Sequence, residues 1–388
     1  MPATATNSEK PDTAVSKNHK RLDTKKTIKK QATKAWQVIV WMATIANVIL
    51  ILMLWTCCAI TYLNPADHPR LSLVTLAFPV FLLANILCIP VWLIIKWKRL
   101  WLPLIGILAC WSFIHDYFPL NLSSTPPKEG ALKVLSFNSK AFGGNDANRD
   151  DGHNSVVEYL LNSNADIICL QESTIPSSKK EALIQQMEDN DYYSYDAVQQ
   201  FVFTRLPILS SDTLQIPTRT NGGQKLLLDY NGDTILLINI HFESNHLSAE
   251  LKNQYKDALR SAEADTLRKE LKPMVGMLKT AAPYRAQQTD IVEEIIEEWL
   301  PRPVIVCGDF NDTPVSYTLR VLTQHLDNAY EQSGFGLGFT FHERGFPVRI
   351  DHILYSPSYF RSAASRIDHD MDYSDHYPII TYLIPLKQ

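Results

Sequence analysis

Cysteine is scarce in this chain of 388 residues, which holds only six. None belongs to a CxxC motif or to a regularly paired framework, so neither a zinc site nor a disulfide scaffold is indicated. Buried free cysteine behaves as a small apolar residue. The first four lie in apolar runs near the start and the last two in predicted buried strands: Cys57, Cys58, Cys88, Cys110, Cys169 and Cys307.

Charge is absent from three long stretches near the start. No charged residue occurs in 36–62 or in 71–95, and a shorter run, 100–114, ends at His115 and Asp116. A bilayer span needs about 20 apolar residues, so we predict three transmembrane helices within residues 36–120. The alternative, a buried helical hairpin of a soluble protein, has more weight for the third run than for the first two. A signal peptide fits poorly, because the first run is too long and follows a long polar segment.

Basic residues flank these runs unevenly. Segment 1–35 holds nine Lys and Arg, and the loop between the second and third runs holds Lys96, Lys98 and Arg99. Both belong on the cytoplasmic side, so three crossings place everything after about Asn121 outside the cytoplasm. A multi-pass bacterial inner-membrane protein facing the periplasm is the preferred setting. Segment 1–35 is predicted to be a disordered tail that either touches anionic lipid or serves only as a topology signal.

Excess positive charge is absent from the rest of the chain. After a Ser- and Pro-containing linker at 121–130, residues 131–388 hold 23 Lys and Arg against 35 Asp and Glu, a net charge of −12. An acidic domain is poorly suited to non-specific binding of long polyanions. The charge balance therefore disfavours tight binding of duplex DNA.

Strand and helix patterns alternate through residues 131–388 and predict an α/β protein with a large sheet core. The predicted helices are 154–162 and a long region at 248–300, which is either a lid over a substrate or, preferably, a helix packed on the sheet. The predicted strands are 132–137, 165–170, 201–209, 225–230, 234–241, 304–307, 349–355 and 377–383.

One predicted strand delivers polar groups directly after an apolar run. Val304–Cys307 is followed by Gly308, Asp309, Phe310 and Asn311. Asp309 and Asn311 lie two residues apart, so on an extended strand end both project to the same side. Together they offer groups that could hold a water or a metal-bound phosphate. An Asp/Asn turn is the alternative for such a motif taken alone.

Five further strand ends carry polar, often ionisable residues. These motifs are Asn138, Gln171-Glu172, Asn239-x-His241, Arg349-Ile350-Asp351-His352 and Ser374-Asp375-His376. Each is common as a cap or a turn, but hard oxygen ligands together with two histidines indicate a site for a divalent metal and a phosphate.

In this order and spacing, the six motifs resemble the endonuclease/exonuclease/phosphatase superfamily, which includes the DNase I-like nucleases, apurinic endonucleases, neutral sphingomyelinases and inositol polyphosphate 5-phosphatases. The resemblance covers about Leu132 to Leu386 and implies a four-layer αββα sandwich with the site at one edge of the two sheets. It implies a Mg²⁺-dependent phosphoesterase, with Mn²⁺ as a second option, and the predicted transmembrane helices outside the resemblance would make it membrane-anchored. The substrate would be a phospholipid head group, an inositol phosphate or a nucleic acid. The alternatives are a nuclease acting on DNA outside the cytoplasm and a catalytically inactive receptor or scaffold.

The resemblance also implies which residues handle the metal and the water. Glu172 is expected to be the main Mg²⁺ ligand, with Asn138 and Asp375 nearby, because a small hard cation takes one or two carboxylates and keeps waters. Asp309 would orient and deprotonate the attacking water, unless Mg²⁺ itself activates a bound water. Asn311 would hold the phosphate or that water.

The two histidines and their partner complete the implied set. His241 and His376 would donate hydrogen bonds to the phosphoryl oxygens, and Asp351 would pair with His376 and keep it protonated. His352 should point to the opposite face of a regular strand and is expected in the core. Glu243, close after His241, is expected to be solvated.

Overall fold

A computed structural model describes residues 12–122, 127, 130–148, 153–219, 221–245, 254, 257, 264–343 and 347–386. The chain forms two compact units. The first holds the chain up to Trp55 together with Val80–Ala109, and the second holds Thr56–Pro79 together with the chain from Cys110 onward. Most of the predicted linker 121–130 lies outside the described residues.

The two longest apolar runs form helices that are long and apolar enough to cross a membrane. α1 spans Asp12–Ile60 and α2 spans Phe78–Lys96. The candidate spans are Lys29–Ile60 and, including a preceding 3₁₀ helix at Ser72–Ala77, Ser72–Arg99. Within the first unit, the Asn47 side chain donates to Asn85 Oδ1 at 3.3 Å and accepts from Trp92 Nε1 at 2.8 Å. These buried amide contacts link α1 to α2.

The third apolar run does not form a single helix. It is divided into α3 (Trp101–Leu108) and α4 (Trp111–Tyr117), each shorter than the roughly 20 residues of a span. Tertiary contacts of the second unit engage α4: Arg349 donates to the Asp116 carbonyl, and the Tyr117 ring lies 5.8 Å from that of Phe78. The described residues therefore contain two candidate spans of the required length, not the three that the sequence predicts.

The predicted disordered tail also differs from the structure, because α1 already begins at Asp12. Residues 12–35 continue the apolar helix without a break. Lys, Arg, Gln and Ala have high helix propensity, and an existing helix is extended at little cost once its nucleus has formed. Residues 1–11 lie outside the described part of the chain.

Two six-stranded mixed sheets form the core of the second unit. The first sheet contains, in spatial order, β11 (Phe360–Ile367), β12 (Ile379–Pro385), β1 (Leu132–Asn138), β2 (Ile167–Gln171), β4 (Gln200–Thr204) and β3 (Tyr193–Ala197). The second contains β5 (Ile208–Thr213), β6 (Gly222–Tyr230), β7 (Asp233–His241), β8 (Val304–Asp309), β10 (Asp351–Tyr355) and β9 (Asp327–Asn328).

The central strands read as continuous apolar runs because both of their faces are covered. In β8, Ile305 and Cys307 pack between the two sheets, whereas Val304 and Val306 pack on the outer face of the second sheet. In β2, Ile167 alternates in the same way with Ile168, which packs on the outer face of the first sheet.

Helices cover both outer faces, which gives the four α/β layers that the resemblance implies. α5 (Ser155–Asn162) and α6 (Ser177–Glu188) pack on the first sheet. α7 (Ala264–Trp299) and α8 (Tyr317–Leu322) pack on the second. A short α9 (Ala329–Ser333) follows β9.

Several edge strands were missed in the sequence. The predicted strand 201–209 is interrupted before Pro207 and becomes β4 and β5, which belong to different sheets. Proline cannot donate to a sheet ladder, which accounts for the interruption. β3, β9 and β11 were also not predicted, since edge strands with a solvent-facing side lack a continuous apolar run.

The segment between α1 and α2 packs on the sandwich within the second unit. Asn64 Nδ2 donates to Asp290 Oδ2 of α7 at 3.0 Å and to the Tyr317 hydroxyl of α8 at 3.1 Å. The Arg320 guanidinium lies 4.3 Å from the ring centre of Tyr62. These contacts bring the segment to the sheet edge where the polar motifs meet.

Candidate active site

Strand register brings three of the predicted residues to one level of the second sheet. His241 on β7 is the parallel partner of Asp309 on β8, and Asp309 is the antiparallel partner of Asp351 on β10. Their side chains all point into the layer between the sheets, because residues in register on neighbouring strands share a face. His241 Nε2 lies 3.5 Å from Asp309 Oδ2.

Glycine at 308 is required by a close approach of β7 and β8. A Cβ atom there would lie 1.9 Å from the Ile240 carbonyl oxygen, and the residue has φ +147°. Gly308 lies inside β8. Its role is to let the two strands meet closely one residue before Asp309.

The first sheet contributes an amide and a second carboxylate. Asn138, at the end of β1, is the parallel partner of Gln171 at the end of β2, and Glu172 follows directly. Asn138 Nδ2 donates to Glu172 Oε1 and to Asp309 Oδ2, each at 3.1 Å. Asn138 therefore joins the polar groups of the two sheets.

A buried ion pair forms at the centre of the site. His376 Nδ1 and Asp351 Oδ2 lie 2.8 Å apart, and His376 Nε2 is 3.8 Å from Asp309 Oδ2. Burial alone would lower the pKa of His376, but the carboxylates of Asp351 and Asp309 raise that pKa to about 10. His376 is therefore an imidazolium at neutral pH, as its predicted pairing with Asp351 requires.

Burial favours the neutral forms of both Asp309 and His241, so it raises the pKa of the carboxyl group and lowers the pKa of the imidazole. Burial, reinforced by the Asp351 carboxylate, raises the pKa of Asp309 to about 7. Burial lowers the pKa of His241 to about 4, although the nearby Glu172 carboxylate opposes the shift. His241 Nε2 is buried and has no hydrogen-bond partner. A buried polar atom of this kind requires an explanation, and a ligand oxygen would satisfy it.

The residues around Glu172 fit a hard divalent cation. Nearly half of the Glu172 side chain is exposed, at 47%, beside an Asp309 side chain that is 2% exposed. Glu172 also has φ 46°, which is uncommon for a residue with a side chain and typical of functional sites. Asp375 lines the same cavity and lies 3.5 Å from Lys140 Nζ. Carboxylate and amide oxygens at one cavity wall are the donors that Mg²⁺ or Mn²⁺ prefers.

Asp309, Asp351 and His376 also place ligand atoms within 4.8 Å of one another. This cluster offers fewer free ligand atoms than the Glu172 side of the cavity, because the Asp351–His376 hydrogen bond uses the facing atoms of two of its members. The exposed Glu172 carboxylate is the better ligand.

The sequence over residues 135–376 matches the profile of the Endonuclease/Exonuclease/phosphatase family. The chain belongs to that family. Residues 38–117 match a second profile, a domain of unknown function designated DUF8431. A search of the curated proteins gave no match.

Solved structures with a similar fold include three from different organisms. The catalytic domain of human Nocturnin with bound sulfate is 15% identical, covers 68% of this chain and 97% of its own, and has a TM-score of 0.47. Truncated TDP2 from Caenorhabditis elegans is 18% identical, with 66% and 99% coverage and a TM-score of 0.45. A family protein from Bacteroides thetaiotaomicron is 19% identical, with 66% and 98% coverage and a TM-score of 0.45.

Three further motif residues of this endonuclease/exonuclease/phosphatase family chain differ in their position relative to the cavity. Asn311 lines the cavity, and its Nδ2 donates to the Phe242 carbonyl at 3.1 Å. Asn239 is buried two residues deeper on β7, where it accepts from Gln171 Nε2 at 2.8 Å. His352 is fully buried and packs edge-on against Phe310, so it lies in the core as predicted.

The expectation for Glu243 was wrong. Its side chain is fully buried, and its Oε1 lies 2.6 Å from Arg219 Nε. The carboxylate also accepts from the backbone N–H of Arg219 at 3.1 Å. Ionic pairing offsets the cost of burying a carboxylate, and no pattern near Glu243 in the sequence indicates Arg219 as the partner.

One cavity residue of this family member, Arg285, was missed in the sequence. Arg285 of α7 is buried and donates from Nη1 to the Glu243 carbonyl at 3.1 Å and to Asn245 Oδ1 at 2.8 Å. Its Nε lies 3.7 Å from Asp312 Oδ2. In the sequence, a single arginine in a long amphipathic helix would be expected on the solvent-exposed face. Only the packing of α7 shows that Arg285 lines the cavity.

The family site opens into a cavity of about 700 Å³. Glu172, His241, Asp309, Asp375 and His376 lie at its polar end. The volume is within the range of about 300–1,000 Å³ that is typical of small-molecule sites. α7 packs on the sheet through Val292 and Ile296, as preferred in the sequence, and Arg285 and neighbouring residues line the cavity.

Proposed function

We propose that this protein is a metal-dependent phosphoesterase that hydrolyses phosphate esters by attack of water on phosphorus. The observation that carries the proposal is the meeting of a buried carboxylate of raised pKa, Asp309, with the unpartnered Nε2 of His241 and the protonated His376. Family membership supports the same class of reaction. Structural ion pairs also shift pKa values, so the proposal rests as well on the position of all three residues in the lining of one cavity.

Asp309 is the proposed base. A carboxylate with a pKa of about 7 is ionised for much of the time at neutral pH and still holds a proton well enough to take one from water. Asn138 Nδ2 fixes Asp309 Oδ2, and the Asn311 backbone N–H fixes Oδ1 at 2.9 Å. The carboxylate is thus oriented from both sides before any substrate binds.

The two histidines are the proposed donors to the phosphoryl oxygens. His376 presents a charged N–H that is held in place by Asp351, and His241 presents a neutral imidazole. Donors already oriented toward developing negative charge stabilise the transition state without reorganisation. Glu172, with Asn138 and Asp375, would hold Mg²⁺, which neutralises charge on the phosphate when bound.

We further propose that α1 and α2 cross a membrane and that the site faces away from the cytoplasm. The segment joining α1 to α2 contacts α7 and α8 within one compact unit, so this segment and the site belong on the same side. The basic segment before α1 belongs on the other side by the positive-inside rule. This orientation requires the chain to return across the bilayer between Arg99 and the second unit, where α3 is shorter than a regular span.

The first test uses the full-length chain in detergent with Mg²⁺. Wild type and Asp309→Asn are screened against plasmid DNA, phospholipids and inositol phosphates. We expect wild type to hydrolyse at least one class and Asp309→Asn to lower kcat by about 10²–10⁴-fold, the usual contribution of a general base. Asp233→Asn, at the exposed first residue of β7, is the matched control.

Two results would contradict the proposal. Equal rates for wild type and Asp309→Asn would remove the assigned base. The absence of turnover on every class, with no heat of Mg²⁺ binding by calorimetry, would instead favour an inactive scaffold. Cleavage of plasmid DNA alone would select the nuclease alternative, which the net charge of −12 over residues 131–388 disfavours.

A further inference from the structure

The cavity has an apolar wall that the catalytic residues do not require. One side comes from Ile60 at the end of α1 and from the segment between α1 and α2, including Leu73 and Leu76. The facing side comes from α7, through Leu271, Met274 and Leu278. All of these residues belong to the second compact unit.

The apolar wall is held in position by the contacts of Asn64 and Tyr62 with α7 and α8 described above. The 3₁₀ helix Ser72–Ala77 packs against α7 in the same region. Met274 is 5% exposed, whereas Leu76 and Leu271 are 39% and 36% exposed. The wall therefore begins inside the unit and reaches solvent at an apolar rim. An exposed apolar rim around a cavity marks a surface for an apolar ligand.

A cation lines the same cavity as the apolar wall. Arg285 is buried, and its Nε, which has no hydrogen-bond partner, lies 3.7 Å from Asp312 Oδ2. Its Nη1 is already engaged by Glu243 and Asn245. A fixed guanidinium at this position suits an anionic group whose apolar substituent extends away from it.

We propose that the substrate is an amphiphilic phosphate ester, with its phosphate at His241 and Asp309 and an alkyl or acyl chain along the wall formed by α7 and the α1–α2 segment. This inference rests on the proposed phosphoesterase function and names its substrate class. The segment that lines the wall joins two helices able to cross a bilayer, so a lipid in that bilayer is the natural source of the chain. Nucleic acid is the poorer occupant, because it is polyanionic and lacks an apolar chain.

The test measures how hydrolysis depends on chain length. Full-length protein in maltoside detergent with Mg²⁺ is given n-alkyl 4-nitrophenyl phosphodiesters from methyl to octyl, and n-alkyl phosphates are run in parallel with phosphate release as readout. A buried methylene contributes up to about fourfold in affinity. We expect kcat/KM of wild type to rise at least tenfold from methyl to octyl.

Matched variants locate the chain. Leu271→Gln/Met274→Gln changes two cavity residues, and Val275→Gln/Met277→Gln changes two exposed residues of the same helical turn that lie outside the cavity lining. The cavity variant should lose the rise with chain length and keep the wild-type rate on the methyl ester, while the control keeps both. If the cavity variant also loses activity on the methyl ester, a Leu73→Gln variant, on the facing side of the wall, is tested in its place.

The outcomes separate this inference from the function on which it rests. Equal rates on methyl and octyl esters with an active wild type would overturn the inference and leave the phosphoesterase intact. Chain-length dependence that survives in the Leu271/Met274 and Leu73 variants would overturn the assigned wall. No hydrolysis of any ester above the Asp309→Asn background would overturn the proposed function and the inference with it.

Discussion

Asp309 is the residue at which the two sheets share one polar network. It belongs to β8 of the second sheet, but the side chain that fixes its Oδ2 is Asn138 of the first. Its other neighbours, Asp351 and His376, carry opposite charges. Asp351 raises the pKa of both Asp309 and His376. The Asp351 carboxylate therefore affects the pH range in which Asp309 is ionised while His376 is protonated, the combination that the proposed reaction needs.

The pH dependence of activity follows from these two groups. Asp309 must lose its proton, so kcat/KM should rise through a pKa of about 7, and His376 must keep its proton, so activity should fall through a pKa of about 10. Removing the Asp351 charge lowers both pKa values. We therefore expect Asp351→Asn to move both limbs of the profile to lower pH and to reduce the rate above neutrality.

The measurement is kcat/KM against pH for wild type, Asp351→Asn and an exposed carboxylate control, Asp372→Asn. The control should leave both limbs in place. A profile of Asp351→Asn that is merely lower at every pH, with unmoved limbs, would show that Asp351 supports the structure without tuning the two groups.

At the scale of elements, the site depends on the close packing of β7 and β8. Parallel pairing places His241 beside Asp309, and Gly308 is the residue at which the strands approach most closely. A methyl group at 308 would overlap the Ile240 carbonyl. The strands would have to separate next to the two residues whose alignment the reaction needs.

We therefore expect Gly308→Ala to cost at least about 3 kcal/mol, combining overpacking with an unfavourable φ. Gly232→Ala is the matched control, because Gly232 also has positive φ, at +91°, but nothing lies within 4 Å of its added Cβ. It should cost only about 1 kcal/mol. Thermal unfolding of both variants in the same detergent compares them, and equal midpoints would contradict the close-approach argument.

At the scale of the whole molecule, the chain combines two helices long and apolar enough to cross a membrane with a sandwich of the endonuclease/exonuclease/phosphatase family. Alkaline phosphatase fused after Gln388 should be active and a green fluorescent protein fused there should be dark, because the proposed topology puts this end outside the cytoplasm. A fusion of each reporter after Lys98 should give the reverse result. Fluorescence at both positions would place the site inside the cell and leave the chain with two crossings.

The sequence predicted the sandwich well where strands are buried on both faces, as in β1, β2, β7 and β8. It failed where a strand lies at an edge, as in β3 and β11, and where tertiary contacts interrupt an apolar run, as between α3 and α4. Local patterns carry information about burial, but an edge strand or a helix break depends on which partner packs there.

The identity of the polar residues was determined by the sequence alone, because Asp, Glu, His and Asn at strand ends have few structural uses in combination. Only the tertiary structure decided their relations. Register set His241 beside Asp309, packing buried Glu243 against Arg219, and α7 brought Arg285 and an apolar wall to the cavity. Contacts between residues far apart in the chain depend on how sheets and helices pack, and no local pattern encodes that packing.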